Sequence, residues 1–173
     1  LGALKLVPRE GLNLRLEVEE GSGRVVAVAM DYQGSTLQVQ AFASTRSQGL
    51  WHEVRSQLTE QISTQGGVVE DSLSELGPEL LCKVPALVDG KQVFQEVRFI
   101  GVDGPRWFLR GVIAGPAATN PEQGARMVEL FKDIVVAGVC TPKIRCRLFS
   151  MHWNWVYRSW RWMFVCRLMA RWW

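Results

Sequence analysis

Histidine is nearly missing from this chain: His52 and His152 are the only two, and they lie far apart. Cysteine is sparse as well. Of Cys82, Cys140, Cys146 and Cys166, three fall in the last 34 residues, so they form neither a disulfide framework nor a zinc set. Cys140 and Cys146 are separated by five residues, too many for a zinc knuckle, and no second ligand pair follows. No serine sits in a nucleophile elbow. GSG at 21–23 is only a turn, and GVDGPRW has neither the lysine nor the glycine spacing of a nucleotide loop. These absences point away from an enzyme, and no cofactor or metal is expected.

Long hydrophobic runs are lacking too. No stretch reaches the ~20 apolar residues needed to cross a bilayer. In the C-terminal part the longest run, Trp162 to Cys166, is closed by Arg161 and Arg167. The opening LGALKLVPREG has none of the basic start, apolar stretch and small-residue cleavage site of a secretory signal. Cys82, in an apolar strand-like stretch, reads as a buried free thiol, which fits a reducing, cytoplasmic compartment.

Acidic residues are absent from 139–173, where seven basic side chains and six of the eight Trp collect. Residues 1–138 hold 13 basic and 17 acidic side chains, a net of −4. The overall charge of +3 therefore averages two unlike parts. With 173 residues, the chain suits one globular domain plus an appendage. The expected organisation is a single α+β domain over 1–138 and a basic Trp/Arg-rich tail over 139–173.

What is present is a regular alternation of period. GLNLRLEVE places Leu12, Leu14, Leu16 and Val18 on one strand face, opposite Asn13, Arg15 and Glu17. RVVAVAMDY and STLQVQAFA follow at short spacing, which favours an antiparallel meander. In the latter, Leu37, Val39, Ala41 and Ala43 share one face and Gln38 and Gln40 the other. Leu50, Trp51, Val54, Leu58 and Ile62 then recur at helical steps, so 49–64 should form an amphipathic helix ended by Gly66-Gly67. Its other side, with His52, Glu53, Gln57 and Glu60, reads as solvated.

VVEDSL and GPELLCKVPALV are the next strands, and Asp89-Gly90 signals a hairpin into KQVFQEVRFIGV. Asp103-Gly104-Pro105 turns the chain into RWFLRGVIAG. Asn120-Pro121-Glu122-Gln123 starts a second helix, with Gln123 placed to complete a capping box. Met127, Leu130, Phe131 and Ile134 form its apolar face, with Gly138 as terminator. The order β-β-β-α-β-β-β-β-α predicts an antiparallel sheet with two packed helices, an α+β fold.

The body's main candidate for binding is FIGVDGPRWFLRG, residues 99–111, with Arg98 just before it. Arg98, Asp103, Arg106, Trp107 and Arg110 are the candidate binding residues. Arg106 and Arg110 would bracket an anion or acidic peptide with their rigid donor forks, and Trp107 would stack on a planar group. The structural alternative is a tight hairpin in which Trp107, Leu109 and Gly111 face the core and Arg110 pairs with an acid on a neighbouring strand. The function this supports is a non-enzymatic binding or protein-interaction module, its partner a protein or a small anionic ligand. An enzyme or ligand binder whose residues meet only in three dimensions, near Cys82, His52 or Trp107, is the other reading.

The runs GLNLRLEVEEGSGRVVAV, LQVQAFASTRSQGLWHEVR, GPELLCKVP and VRFIGVDGPRWFLRGV resemble the actinobacterial proteins grouped as domain of unknown function 3710. The resemblance spans roughly residues 1–137, and the last run is its most specific part. It implies a small cytoplasmic protein of uncharacterised role. Gly101, Asp103, Gly104, Pro105, Arg106, Trp107, Arg110 and Gly111 match the recognisable segment, and the resemblance assigns none of them a role.

The tail departs from that family's proline-rich, polar end. A shifted reading frame in a GC-rich gene would produce such Trp, Arg and Cys frequencies. Read as a functional element, Arg158, Trp160, Arg161, Trp162, Arg167 and Arg171 suit an anionic membrane surface or a nucleic acid, through charge and stacking. On that reading, removing residues 139–173 abolishes binding to anionic vesicles and to duplex DNA. Equal binding by the shortened and complete chains, measured by co-sedimentation, would eliminate a role for the tail.

Overall fold

The computed structural model describes residues 4–136, apart from 20, 22, 45–48 and 89–90, and leaves the side chains of 87, 88 and 91 undescribed. The tail candidates Arg158, Trp160, Arg161, Trp162, Arg167 and Arg171 lie outside the described residues. Seven of the strands are those the alternating pattern predicts: β2 (Asn13–Val18), β3 (Val25–Tyr32), β4 (Ser35–Ala43), β5 (Val68–Ser74), β6 (Gly77–Val88), β7 (Lys91–Gly104) and β8 (Trp107–Ala114). Two short strands, β1 (Leu4–Lys5) and β9 (Val135–Val136), pair with each other in a separate ribbon. The helices are α1 (Trp51–Thr64) and α2 (Pro121–Lys132), the second preceded by a 3-10 turn over Pro116–Ala118. The α+β architecture and the antiparallel sheet are as the sequence predicts.

The spatial order of the large sheet is β2-β3-β4-β8-β7-β6-β5, every neighbouring pair antiparallel. Two meanders, β2-β3-β4 and β5-β6-β7-β8, therefore meet side by side at β4 and β8. α1 carries the chain from the middle of the sheet to its far edge, packing on β5, β6 and β7.

The helices cover opposite faces because the two residue sets of each strand point opposite ways. On the α2 face, Val28, Met30, Leu37, Val39, Ile100, Leu109 and Ile113 pack with Met127, Val128, Leu130 and Phe131. On the α1 face, Leu80, Cys82, Val97, Phe99, Phe108 and Val112 pack with Trp51, Leu58 and Ile62. With helices on both sides, the central strands bury both faces and lose their simple alternation, as β8 does from Phe108 to Ile113.

Local chemistry explains the helix ends. Gly66 has φ 80° and donates to Ser63 O at 3.0 Å, while Gly67 donates to Ile62 O at 2.9 Å. That pair of bonds is a Schellman motif, with glycine in the left-handed position. At the start of α2, Asn120 Oδ1 accepts from Glu122 N at 3.0 Å and Gln123 N at 3.2 Å. The reciprocal half of the expected capping box is not made. Asn120 N–H donates instead to Pro116 O of the 3-10 turn, and Gln123 Oε1 is buried without a partner. α2 also ends at Lys132, short of the expected Gly138, because the β-branched pair Val135–Val136 extends to pair with Leu4–Lys5.

Phe99 is fully buried at the centre of the α1-face core. Phe99→Ala should cost about 3–5 kcal/mol, lost burial plus a cavity. Urea unfolding followed by tryptophan fluorescence will measure it, and a loss under 1 kcal/mol (about a fivefold change in the folding equilibrium) would contradict this packing.

Candidate functional site

The β7–β8 hairpin closes with Gly104 opposite Trp107. Its two-residue turn is Pro105-Arg106, and Arg106 has φ 91°. A second central residue at positive φ after proline is the position type II turns give to glycine or asparagine. The strained turn is tied down by one backbone bond, Ser44 N to Arg106 O at 2.8 Å, and the Arg106 side chain is exposed.

Asp103 has a structural task. Leu50, the residue before α1, supplies no side-chain cap. Asp103 reaches across from β7, accepting from Leu50 N at 2.7 Å and from Trp51 N at 3.1 Å. A carboxylate there satisfies orphan N–H groups and opposes the positive end of the helix dipole. A Cβ on Gly49 would lie 2.5 Å from Asp103 Oδ2, so a side chain there would push the carboxylate out of its capping position.

Trp107 lies across Gly104, where a Cβ would meet its indole at 2.0 Å, and packs on the α2-face core. Arg98 is on the same face. Its Nε lies 3.8 Å from Glu79 Oε1, and its guanidinium fills the space left by Gly124 of α2. Arg98 is therefore a half-buried, carboxylate-paired contact between the sheet and α2.

Arg110 points the other way. In register it stands between Gln40 of β4 and Gly101 of β7. Gly101 is the seat of Trp51: a Cβ there would lie 2.5 Å from the indole. Trp51 stacks on Phe108 at 5.9 Å, Phe108 on Phe42 at 5.9 Å, and the Arg110 guanidinium sits over Phe42 at 5.6 Å. Arg110 is only 4% exposed. Its Nη2 donates to Gln40 Oε1, its Nε is buried with no acceptor, and among the described residues no carboxylate pairs with it. Burial lowers its pKa from 12.5 to about 10, so it is still charged at neutral pH.

Around Arg110 the sheet face is polar beyond the reach of α1. One row runs Arg15, Ala29, Gln38, Val112, Phe99. Gln38 and Gln40 are 4% and 6% exposed. Gln38 Nε2 donates to Glu17, Arg15 pairs with Asp31 at 2.5 Å, and Thr36 donates to Asp31 at 2.6 Å. Ala27 and Ala29, both buried, are small side chains between these long ones.

The structure thus separates the five residues of the sequence motif. Arg98 and Trp107 serve the α2 face, Asp103 caps α1, Arg106 occupies the turn, and Arg110 alone enters the polar half of the α1 face. Trp107 is on the opposite side of the sheet from Arg110 and cannot stack on a group held there. In the hairpin alternative Arg110 was to pair with an acid; its partner is the Gln40 amide. Gln38, Gln40 and Glu17 were legible only as members of alternating strands, and that pattern reads as a solvated face.

Cys82 and His52 do not meet. Cys82 is buried under α1 in its core cluster, whereas His52 is exposed on the helix's outer side. Burial, with the Asp71 charge adding to it, pushes the Cys82 thiol up to about 12. That suppresses the nucleophilic thiolate at neutral pH. Among the described residues no group of three His, Cys, Asp or Glu could hold a metal ion, and no helix is long and apolar enough to cross a membrane.

The raised thiol carries a pH signature. Its folded value lies above the ordinary 9.0, so its contribution to stability is whole below pH 9 and is lost as pH rises toward about 12. Cys82→Ala should flatten the decline of stability across that window, read from urea midpoints at successive pH values. An unchanged slope would show that the thiol is not buried as described.

No curated protein matches the chain. A family model does match, that of Protein of unknown function (DUF3710), over residues 1–148, so it takes in the whole sheet, both helices and the Arg110 site. The chain belongs to that family, Protein of unknown function (DUF3710).

Proposed function

We propose that this domain is a non-enzymatic binding module whose ligand is a small anion of the carboxylate class, received at Arg110. One observation carries the reading: a buried guanidinium with no carboxylate partner among the described residues. Holding an unpaired cation out of water costs several kcal/mol. The Phe42 ring and the Gln40 oxygen offset only part of that, and the ring attraction is worth about 2 kcal/mol when desolvated. A ligand carboxylate would supply the missing charge and match the planar fork of donors. Gln38 and Gln40 add amide groups that orient a polar ligand.

The same reading places the protein in the reducing cytoplasm, which suits the one buried free thiol of its body. It also takes the chain as actinobacterial, on the likeness of its VRFIGVDGPRWFLRGV run to that group.

Replacing a buried ionic group with apolar side chains of similar volume is often neutral or stabilising by about 1–4 kcal/mol. Arg110→Met combined with Gln40→Leu should therefore melt at the wild-type temperature or above it. Succinate and acetate should raise the melting temperature of the wild type, since a ligand at ~100 times its Kd adds about 2.7 kcal/mol. They should leave the double variant unmoved, with inorganic phosphate separating carboxylate selectivity from a general anion effect. A wild type indifferent to all three anions, or an equal response from the double variant, would refute an anion site at Arg110.

A further inference from the structure

We propose that β2 pairs with β2 of a second copy of this chain, antiparallel and centred on Leu16. This goes beyond the anion reading and rests on different residues. Among the described residues β2 is an edge strand, bonded to β3 on one side only. Edges are normally blunted by proline, lysine or a bulge. Asn13–Val18 has neither residue, and the irregularity near Glu17 lies on β3, where Ala27 pairs with Glu17 and Val25 with Val18. β2 itself stays regular.

A row of apolar side chains lies along this edge. Leu14 and Leu16 pair with Met30 and Val28, which puts them on the α2 face, yet they are 47% and 45% exposed. Val18 and its neighbour Val25 are 51% and 52% exposed. The other side of the strand carries Arg15 and Glu17, of opposite sign.

The charges of the strand complement one another in one register. Centred on Leu16, antiparallel pairing sets Leu16 against Leu16 and Leu14 against Val18 of the second copy. On the opposite face it sets Arg15 against Glu17, twice. Centred on Arg15 it would oppose two arginines, and centred on Glu17 two glutamates, both unfavourable. A one-residue slip would set the apolar row against the charged one. Arg15 holds Asp31 at 2.5 Å and is 42% exposed at its side chain, so its other guanidinium donors can take a second carboxylate, whereas Glu17, which accepts from Gln38 and is half-buried, turns outward to meet it. The other edge, β5, carries Glu70 and Asp71 and no basic residue, so pairing with itself would only gather negative charge.

The product is one continuous sheet across two copies. A two-fold axis normal to the sheet places both α2 helices on one side and both Arg110 sites on the other. A six-residue strand buries less than the ~1,600 Å² of a standard interface, so association is expected to depend on concentration.

Sedimentation equilibrium of the full chain tests this. A concentration-dependent dimer is expected. Leu16→Lys, which opposes two cations on the axis, should weaken it at least about tenfold while the monomer stays folded, since Leu16 is 45% exposed. Arg15→Glu and Glu17→Arg should each weaken it, and the double variant Arg15→Glu/Glu17→Arg should recover it, because the exchanged charges still oppose one another. A chain that stays monomeric at every concentration, or a dimer indifferent to Leu16→Lys, would overturn the proposal. So would a folded double variant that associates no better than either single one.

Discussion

Trp51 rests in the hollow left by Gly101, and the whole α1 face depends on that contact. Its indole stacks on Phe108 and donates to Pro78 O at 2.6 Å, so a single side chain ties the first turn of α1 to β6, β7 and β8. Asp103, two residues beyond Gly101, holds the backbone of the same turn. Burial and capping thus act at one point. They set where α1 begins, and hence which part of the sheet it covers. The half it leaves uncovered is the half that carries Gln38, Gln40 and Arg110.

Arg98 and Arg110 show how one residue type serves different ends. Arg98 faces Glu79 and fills a space that Gly124 leaves in α2, so its charge is answered within the chain. Arg110 lies on the other face with an amide and a ring for neighbours and, among the described residues, no carboxylate. Buried charges are ordinarily paired. An unanswered one is a cost the fold would shed if stability alone governed the position, and the proposed anion site at Arg110 rests on that cost. Its separation from Trp107 is a matter of strand parity: three positions apart on one strand is always opposite faces.

The edges of the sheet are also unlike. β5 ends the sheet with acidic side chains, and β2 ends it with an apolar row and one charge of each sign. That asymmetry follows from the join of two meanders at β4 and β8, which sends the first strand of each to an outer edge. Family membership covers both edges and the site without assigning either a task.

Much of the fold was legible in the residues themselves. Period-two alternation located seven strands, period 3.6 located both helices, and the glycine pair at 66–67 and the Asn120-Pro121 start located helix ends, because these depend on local backbone and burial preferences. The ribbon of β1 and β9 was not legible, since two-residue strands carry no period. For the site, the sequence alone determined that Arg98, Asp103, Arg106, Trp107 and Arg110 are close along the chain. Only the tertiary structure decided which of them enters the polar half of the α1 face. A strand sends neighbours to opposite faces, and the partner Gln40 comes from a strand 70 residues earlier, brought beside Arg110 by sheet order, a long-range choice that no local pattern encodes.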